Sequence, residues 1–197
     1  MLIARLAALV ALSFAVACAS PTSDSAAGSE SADTALSNAG IQNFTMVRPG
    51  LYRGGHPDAA GLDFLKSRGV KRIVNLEVGD FAEAFPWDIS RELDEARQRG
   101  LTELRFPMSA FEPAISGEFN THMDQIAAIL KTATPSDGVY VHCKHGQDRT
   151  GLVIGLERVI DEKWAPKAAY AEMLHIGFHP MFLGLSHYFE EKTGFKD

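Results

Sequence analysis

Long apolar runs, cysteine and basic charge are all scarce in this chain of 197 residues, and each scarcity excludes something. The longest apolar run, residues 6–17 interrupted only by Ser13, falls short of the roughly twenty residues that a membrane-crossing helix needs. Lys and Arg total 19 against 25 Asp and Glu, and the net charge of −6 argues against nonspecific nucleic-acid binding. Gly-x4-Gly-Lys-Ser/Thr, Gly-x-Gly-x-x-Gly after a strand and Gly-x-Ser-x-Gly are all missing, so nucleotide binding and serine hydrolysis have no support. Only two cysteines are present, Cys18 and Cys143, and in an oxidising compartment two free thiols would risk pairing with each other. The length suits one globular domain plus a leader, and no internal repeat is evident.

What is present begins with that leader. Residues 1–17 carry one early basic residue, Arg5, then the apolar run, then small residues before Cys18, which is the layout of a secretory signal. Ala15-Val-Ala-Cys18 resembles a bacterial lipobox, with Ala15 where that pattern usually has Leu. The resemblance implies that Cys18 is acylated and becomes the mature N-terminus, which would also remove the one disulfide partner of Cys143. Ordinary cleavage after Ala15-Val16-Ala17, leaving Cys18 unmodified, is the competing reading. Residues 18–40 are rich in Ser, Ala, Thr and Gly, without a basic residue or an apolar period, and read as a flexible tether. With Ala19 next to Cys18, the lipobox resemblance implies a lipoprotein of the bacterial cell envelope, held at the outer membrane and facing the periplasm. A secreted or periplasmic soluble protein is the alternative.

The folded domain is expected over residues 41–197, where Phe44, Met46, Val47, Leu51 and Tyr52 open an apolar region. Arg53-Gly-Gly-His-Pro57 reads as a turn. Asp58 can cap a helix running to about Arg68, with Ala59, Leu62 and Leu65 inward and Gly69 at its end. Strands follow over 70–76 and 101–106, with a helix over about 88–98 between them. Residues 118–133 form a helix with Phe119, Met123, Ile126, Ile129 and Leu130 as its core face; Pro166 starts another toward Leu174, and a last one spans about 181–192. Alternating strands and helices with a helical end give an α/β fold, a central and mostly parallel sheet flanked by helices.

The chemistry is concentrated in Gly138-Val-Tyr-Val-His-Cys-Lys-His-Gly-Gln-Asp-Arg-Thr-Gly151. Residues 138–141 suit a short buried strand and 152–160 carry apolar residues at helical spacing, so the stretch reads strand, loop, helix. Such a loop presents unpaired N–H groups and the positive end of the helix dipole, and so cradles an anion such as phosphate. Cys143 opens it. Beside a cation at a helix N-terminus, a thiol pKa can fall from about 8.5 to roughly 3.5–7.5, leaving a thiolate that can attack phosphorus. Arg149 supplies a planar fork for two phosphate oxygens and for the charge that develops during transfer, and Thr150 can donate to the sulfur. Lys144, His145, Gly146, Gln147 and Asp148, with Arg149, make up the expected phosphate-binding set, the Lys144 and His145 side chains reaching the rim.

These residues are similar to the signature of the cysteine-dependent protein tyrosine and dual-specificity phosphatases: a strand ending in His-Cys, five residues, then Arg-Thr-Gly. Tyr52-Arg-Gly-Gly-His-Pro57 resembles the entry turn of several small dual-specificity-like members. The resemblance covers about residues 47–189. It implies that family's fold and phosphomonoester hydrolysis through a phosphocysteine on Cys143.

The departing oxygen needs a proton. The family usually places an Asp on a mobile loop ahead of the cysteine, and this sequence has none there: between residues 101 and 121 its acids are Glu103, Glu112 and Glu118. Asp148, placed as in some bacterial and lipid-directed members, is favoured over Glu112 as the acid. His175 and His179, and the run His142, Cys143 and His145, raise the question of a metal, but further ligands at defined spacing are lacking and the thiolate already has a role. Neither metal nor cofactor is expected. The expected partner is a phosphorylated substrate, either phosphotyrosine or phosphoserine on a protein, or an inositol polyphosphate or phosphoinositide for which Lys144 and His145 would be added cations. A phosphate-binding module that has lost its chemistry is the reading from another class, and the presence of both Cys143 and Arg149 speaks against it.

Overall fold

The computed structural model describes residues 39–78, 89–110 and 117–196. The leader, Cys18, nearly all of the tether and Glu112 lie outside them. A hairpin of β1 (Thr45–Arg48) and β2 (Leu51–Gly54) opens the domain. Then α1 (Ala59–Ser67) leads to β3 (Val70–Asn75), α2 (Ile89–Gln98) to β4 (Thr102–Arg105), and α3 (Gly117–Lys131) to β5 (Gly138–His142). Three helices finish it, α4 (Asp148–Ile160), α5 (Pro166–His175) and α6 (Leu183–Thr193). Among the described residues no helix is long and apolar enough to cross a membrane.

The sheet order is β1-β2-β5-β3-β4, with β1 antiparallel to β2 and every other neighbour parallel. The last strand in sequence, β5, is thus inserted at the centre and is buried throughout. Because β2 to β5 run the same way, the loops that follow them open on one edge, where α/β sheets bind ligands.

Side-chain alternation sorts the two faces. Val139 and Val141 of β5 and Val74 of β3 pack with Met123 and Ile126 of α3, Leu152 and Leu156 of α4, and Leu185 and Phe189 of α6. Tyr140 and Ile73 point the other way, against Leu62 and Leu65 of α1 and Ala96 of α2. Each side chain buried to this extent contributes about 1.5–3 kcal/mol. The Asp58 carboxylate accepts the Gly61 N–H at 2.8 Å and starts α1, a cap whose loss costs about 1 kcal/mol.

Two sequence expectations are corrected. Arg53 and Gly54, read as part of a turn, are the last residues of β2, paired with Val141 and His142 of β5. Gly54 is there for closeness: a Cβ on it would lie 2.5 Å from the Tyr140 hydroxyl and 2.9 Å from Ile41 Cγ2. The helix read from Leu152 starts four positions earlier, at Asp148, so Asp148, Arg149 and Thr150 occupy its first turn.

Candidate active site

The loop between β5 and α4 is turned inside out by its neighbours. The Lys144 carbonyl accepts the His56 N–H at 3.1 Å, the His145 carbonyl accepts Asn43 Nδ2 at 2.8 Å, and the Gly146 carbonyl accepts Arg53 Nη2 at 2.7 Å. In a trans peptide unit the N–H points opposite to the C=O. Three outward carbonyls therefore turn the N–H groups of His145, Gly146 and Gln147 inward, toward the start of α4. Gly146 makes the bend at φ +72°, a left-handed conformation pressed against the Gly54 backbone that admits no side chain.

Cys143 stands at the bottom of this cradle, buried and free of any disulfide. Burial pushes its thiol up. The Arg149 charge, the Thr150 hydroxyl and the backbone amides of Thr150 and Gly146 more than reverse that, so it lies below the ordinary cysteine range. Arg149 Nη1 is anchored on the Leu76 carbonyl at 3.1 Å and the Met108 carbonyl at 3.4 Å, which sets the plane of its fork from the loops after β3 and β4. Lys144 and His145 line a cleft of about 290 Å³ at the rim, together with Gln42, His56 and Glu77. Burial, then Lys144 and Arg149, draw His145 below its ordinary 6.5, which makes it a neutral ring near pH 7.

Asp148 is placed at the start of α4, with Oδ1 accepting the backbone N–H of His179 at 2.8 Å. Glu112 falls outside the described residues. His175 and His179 are both exposed, and His179 pairs with Asp148 at 2.9 Å. The histidines gathered with carboxylates are instead His56 and His142, beside Glu77 and Glu92.

Arg53 was missed as a site residue. It lies beneath the loop with 1% exposure, and burial draws it down to about 10, so it remains a cation at neutral pH. The only sequence signal for it was the Tyr-Arg-small-small-x-Pro stretch.

A buried cysteine with a lowered thiol pKa, inward amides and an anchored guanidinium at the edge of a mostly parallel sheet define a cysteine-centred oxyanion-binding cradle. The model of the tyrosine phosphatase family matches residues 40–177, and the chain belongs to that family. Among curated relatives, inositol diphosphatase DSP4 of Arabidopsis thaliana is 30% identical over 131 residues, 66% of this chain and 61% of that protein. Dual specificity protein phosphatase TpbA of Pseudomonas aeruginosa is 30% identical over 144 residues, 69% of this chain and 55% of that one. The chain thus spans less than two thirds of the length of these relatives. Of solved structures, P. aeruginosa TpbA superposes with a TM-score of 0.58 at 24% identity, covering 78% of this chain and 86% of that one. The core catalytic domain of the PP-IP phosphatase SIW14 from S. cerevisiae, in complex with citrate, gives 0.53 at 22% identity, covering 70% and 77%. Both share the fold.

Proposed function

We propose that the chain hydrolyses phosphomonoesters through a phosphocysteine intermediate. The observation that carries this is the buried Cys143 thiol, drawn toward its thiolate by Arg149, Thr150 and the loop amides. The sulfur lone pair attacks phosphorus while the bond to the leaving oxygen breaks, and that oxygen takes a proton from an acid. Water then attacks phosphorus, the P–S bond breaks, the acid's carboxylate accepts the water proton, and thiolate and phosphate result. Arg149 and the amides of His145, Gly146 and Gln147 hold the three non-bridging oxygens throughout. Asp148 is the proposed acid, and Glu112 its rival.

Phosphotyrosine or phosphoserine on protein is the first substrate class, in keeping with the dual-specificity name of TpbA. A second reading, inositol polyphosphates or phosphoinositides, is favoured by the Lys144 cation on the cleft beside the cradle, where His145 offers a hydrogen-bonding ring and not the second cation expected from the sequence. The inositol diphosphatase name of DSP4 agrees with it. Purified Cys143→Ser should lose all turnover and still bind a phosphate analogue, and normal turnover by that variant sinks the mechanism. Wild-type rates on a phosphotyrosine peptide and on inositol polyphosphates separate the two substrate classes.

The leader, on the same footing, makes this an envelope enzyme. Acylated Cys18 would hold the domain by buried methylenes at about 0.8 kcal/mol each. The tether of 18–40 would let it range roughly 25 Å. Mass spectrometry of the mature N-terminus should find acylated Cys18, and an unmodified chain starting there refutes the anchor.

A further inference from the structure

Behind the phosphate loop, four titratable side chains that take no part in the chemistry above close a ring. His56 Nδ1 lies 2.8 Å from Glu77 Oε1 and 3.3 Å from Glu92 Oε2. His142 Nε2 lies 3.0 Å from Glu92 Oε1, and His142 Nδ1 3.6 Å from Glu77 Oε1. One ligand atom from each of the four residues falls within 4.8 Å of all the others. They come from the loop after β2, the loop after β3, helix α2 and the end of β5. The alternation of β5 brings them together: Val141 faces α4, so His142 faces α2, which carries Glu92.

We propose that His56, Glu77, Glu92 and His142 bind one divalent transition-metal ion of the zinc type, at a site separate from the Cys143 cradle. Two imidazole nitrogens and two carboxylate oxygens are a donor set that zinc takes at about 2.0–2.2 Å, which spaces neighbouring ligands of a tetrahedron roughly 3.3 Å apart. The ring's contacts fall on both sides of that spacing. His142 is a second, independent pointer. It has no exposed surface, and among the described residues neither of its ring nitrogens, nor Glu92 Oε1, makes an aligned hydrogen bond. These nitrogens and carboxylate oxygens stand at ion-pair distance around a shared centre, which one ion can occupy.

The surroundings fit the role. Asn75 Nδ2 donates to Glu92 Oε2 at 3.1 Å while its Oδ1 accepts the Glu77 N–H at 2.8 Å, so one amide orients both carboxylate residues. The Tyr140 ring stacks on His142 at 5.6 Å. Access is open, because His56 and Glu77 reach the cleft that Lys144 and His145 also line. Charge is balanced as well. One divalent ion on two neutral imidazoles balances two carboxylates, which suits a mostly buried ring, and an imidazole nitrogen must be free of its proton to bind the ion. The ion therefore displaces protons, and its affinity should rise with pH. Among the described residues, the other charged or titratable groups facing the ring are Glu103, which donor Asn75 also bonds at 2.9 Å, Arg105 at 4.0 Å from Glu103, Tyr140, and Lys144 and His145 across the cleft.

The test titrates chelator-dialysed protein with Zn²⁺ by calorimetry in two buffers of different ionisation enthalpy, and with Co²⁺ by absorption. One ion per chain, proton release on binding and tighter binding at higher pH are expected, with no thiolate charge-transfer band for Co²⁺ and unchanged binding in Cys143→Ser. Glu92→Gln should weaken binding about tenfold or more. His56→Ala, at the open end of the ring, should do the same without disturbing the core. Absence of stoichiometric binding, binding lost in Cys143→Ser, or full affinity in both ring variants overturns the site.

Discussion

Asp148 Oδ1 accepts the backbone N–H of His179 at 2.8 Å and lies 2.9 Å from the same residue's Nδ1, tying the first turn of α4 to the segment between α5 and α6. The contact gives Asp148 two candidate tasks, acid and strut, and the leaving group separates them. Only a poor leaving group needs protonation, so as the acid Asp148→Asn should slow alkyl phosphates by about 10²–10⁴ and aryl phosphates with good leaving groups far less. His179→Ala removes the ring contact alone and should lower both rates equally and mildly. Equal losses in Asp148→Asn would assign it to the strut and pass the acid to Glu112, where Glu112→Gln answers the same comparison.

Cys143 reacts as its thiolate, so kcat/KM falls as pH drops through its pKa. Burial raises that pKa, and Arg149 and then the Thr150 hydroxyl lead the groups that bring it below the ordinary cysteine range. Thr150→Val keeps the shape and removes a buried hydroxyl that lowers the thiol pKa without an aligned hydrogen bond of its own among the described residues, so the folded thiol pKa rises. The acid limb of the pH–rate profile should then move to higher pH, with a greater loss at pH 5 than at pH 8. A uniform loss with an unmoved limb would mean that the hydroxyl does not serve the sulfur.

The cradle was legible in the sequence because its strand, loop and helix are contiguous and Cys143, Gly146, Arg149 and Thr150 sit at fixed offsets within one turn of chain. The helices from Asp58 onward were legible for the same local reason, a cap and a period. What escaped is long-range. Arg53 meets Gly146 across 93 positions, and it sits in a strand of four residues, too short for alternation to register. His56, Glu77, Glu92 and His142 are scattered over four segments, and only the insertion of β5 between β2 and β3 makes them neighbours.

Arg158 holds the far end of α4. Its Nε and Nη2 grip Glu172 at 3.0 and 2.8 Å, Nη1 bonds Glu162 at 2.7 Å and the Val47 carbonyl at 3.0 Å, and the guanidinium lies 4.4 Å over the Trp164 ring. Arg158→Met strands Glu172 and leaves Glu162, among the described residues, with only Arg48 Nε, at 3.9 Å. Each is 20% exposed, so screening trims the loss to about 3 kcal/mol in urea unfolding, with kcat/KM unchanged well below the melting midpoint. The triple variant Arg158→Met, Glu162→Leu, Glu172→Leu should recover most of it, because both carboxylates that Arg158 held are then absent and Arg48 keeps Glu157 at 3.0 Å. No recovery would place the effect in lost stacking on Trp164.

Arg53 reverses that balance. Its Nη2 bonds the Gly146 carbonyl at 2.7 Å, but among the described residues Nε and Nη1 have no hydrogen-bond partner, and the side chain is buried. A buried cation with two unmade bonds destabilises the fold on its own account. It persists where its charge supports a loop that must hold a dianion. Arg53→Met fills the same space without charge. Phosphate and vanadate inhibition constants should rise about tenfold, the equivalent of one charge-assisted hydrogen bond, and kcat/KM should fall with them. The thermal midpoint should hold or rise, since two unsatisfied donors leave the core. Arg53→Lys restores the charge without the fork and should recover part of the anion affinity. A collapsed midpoint with unchanged inhibition constants would make Arg53 a packing residue and remove it from the site.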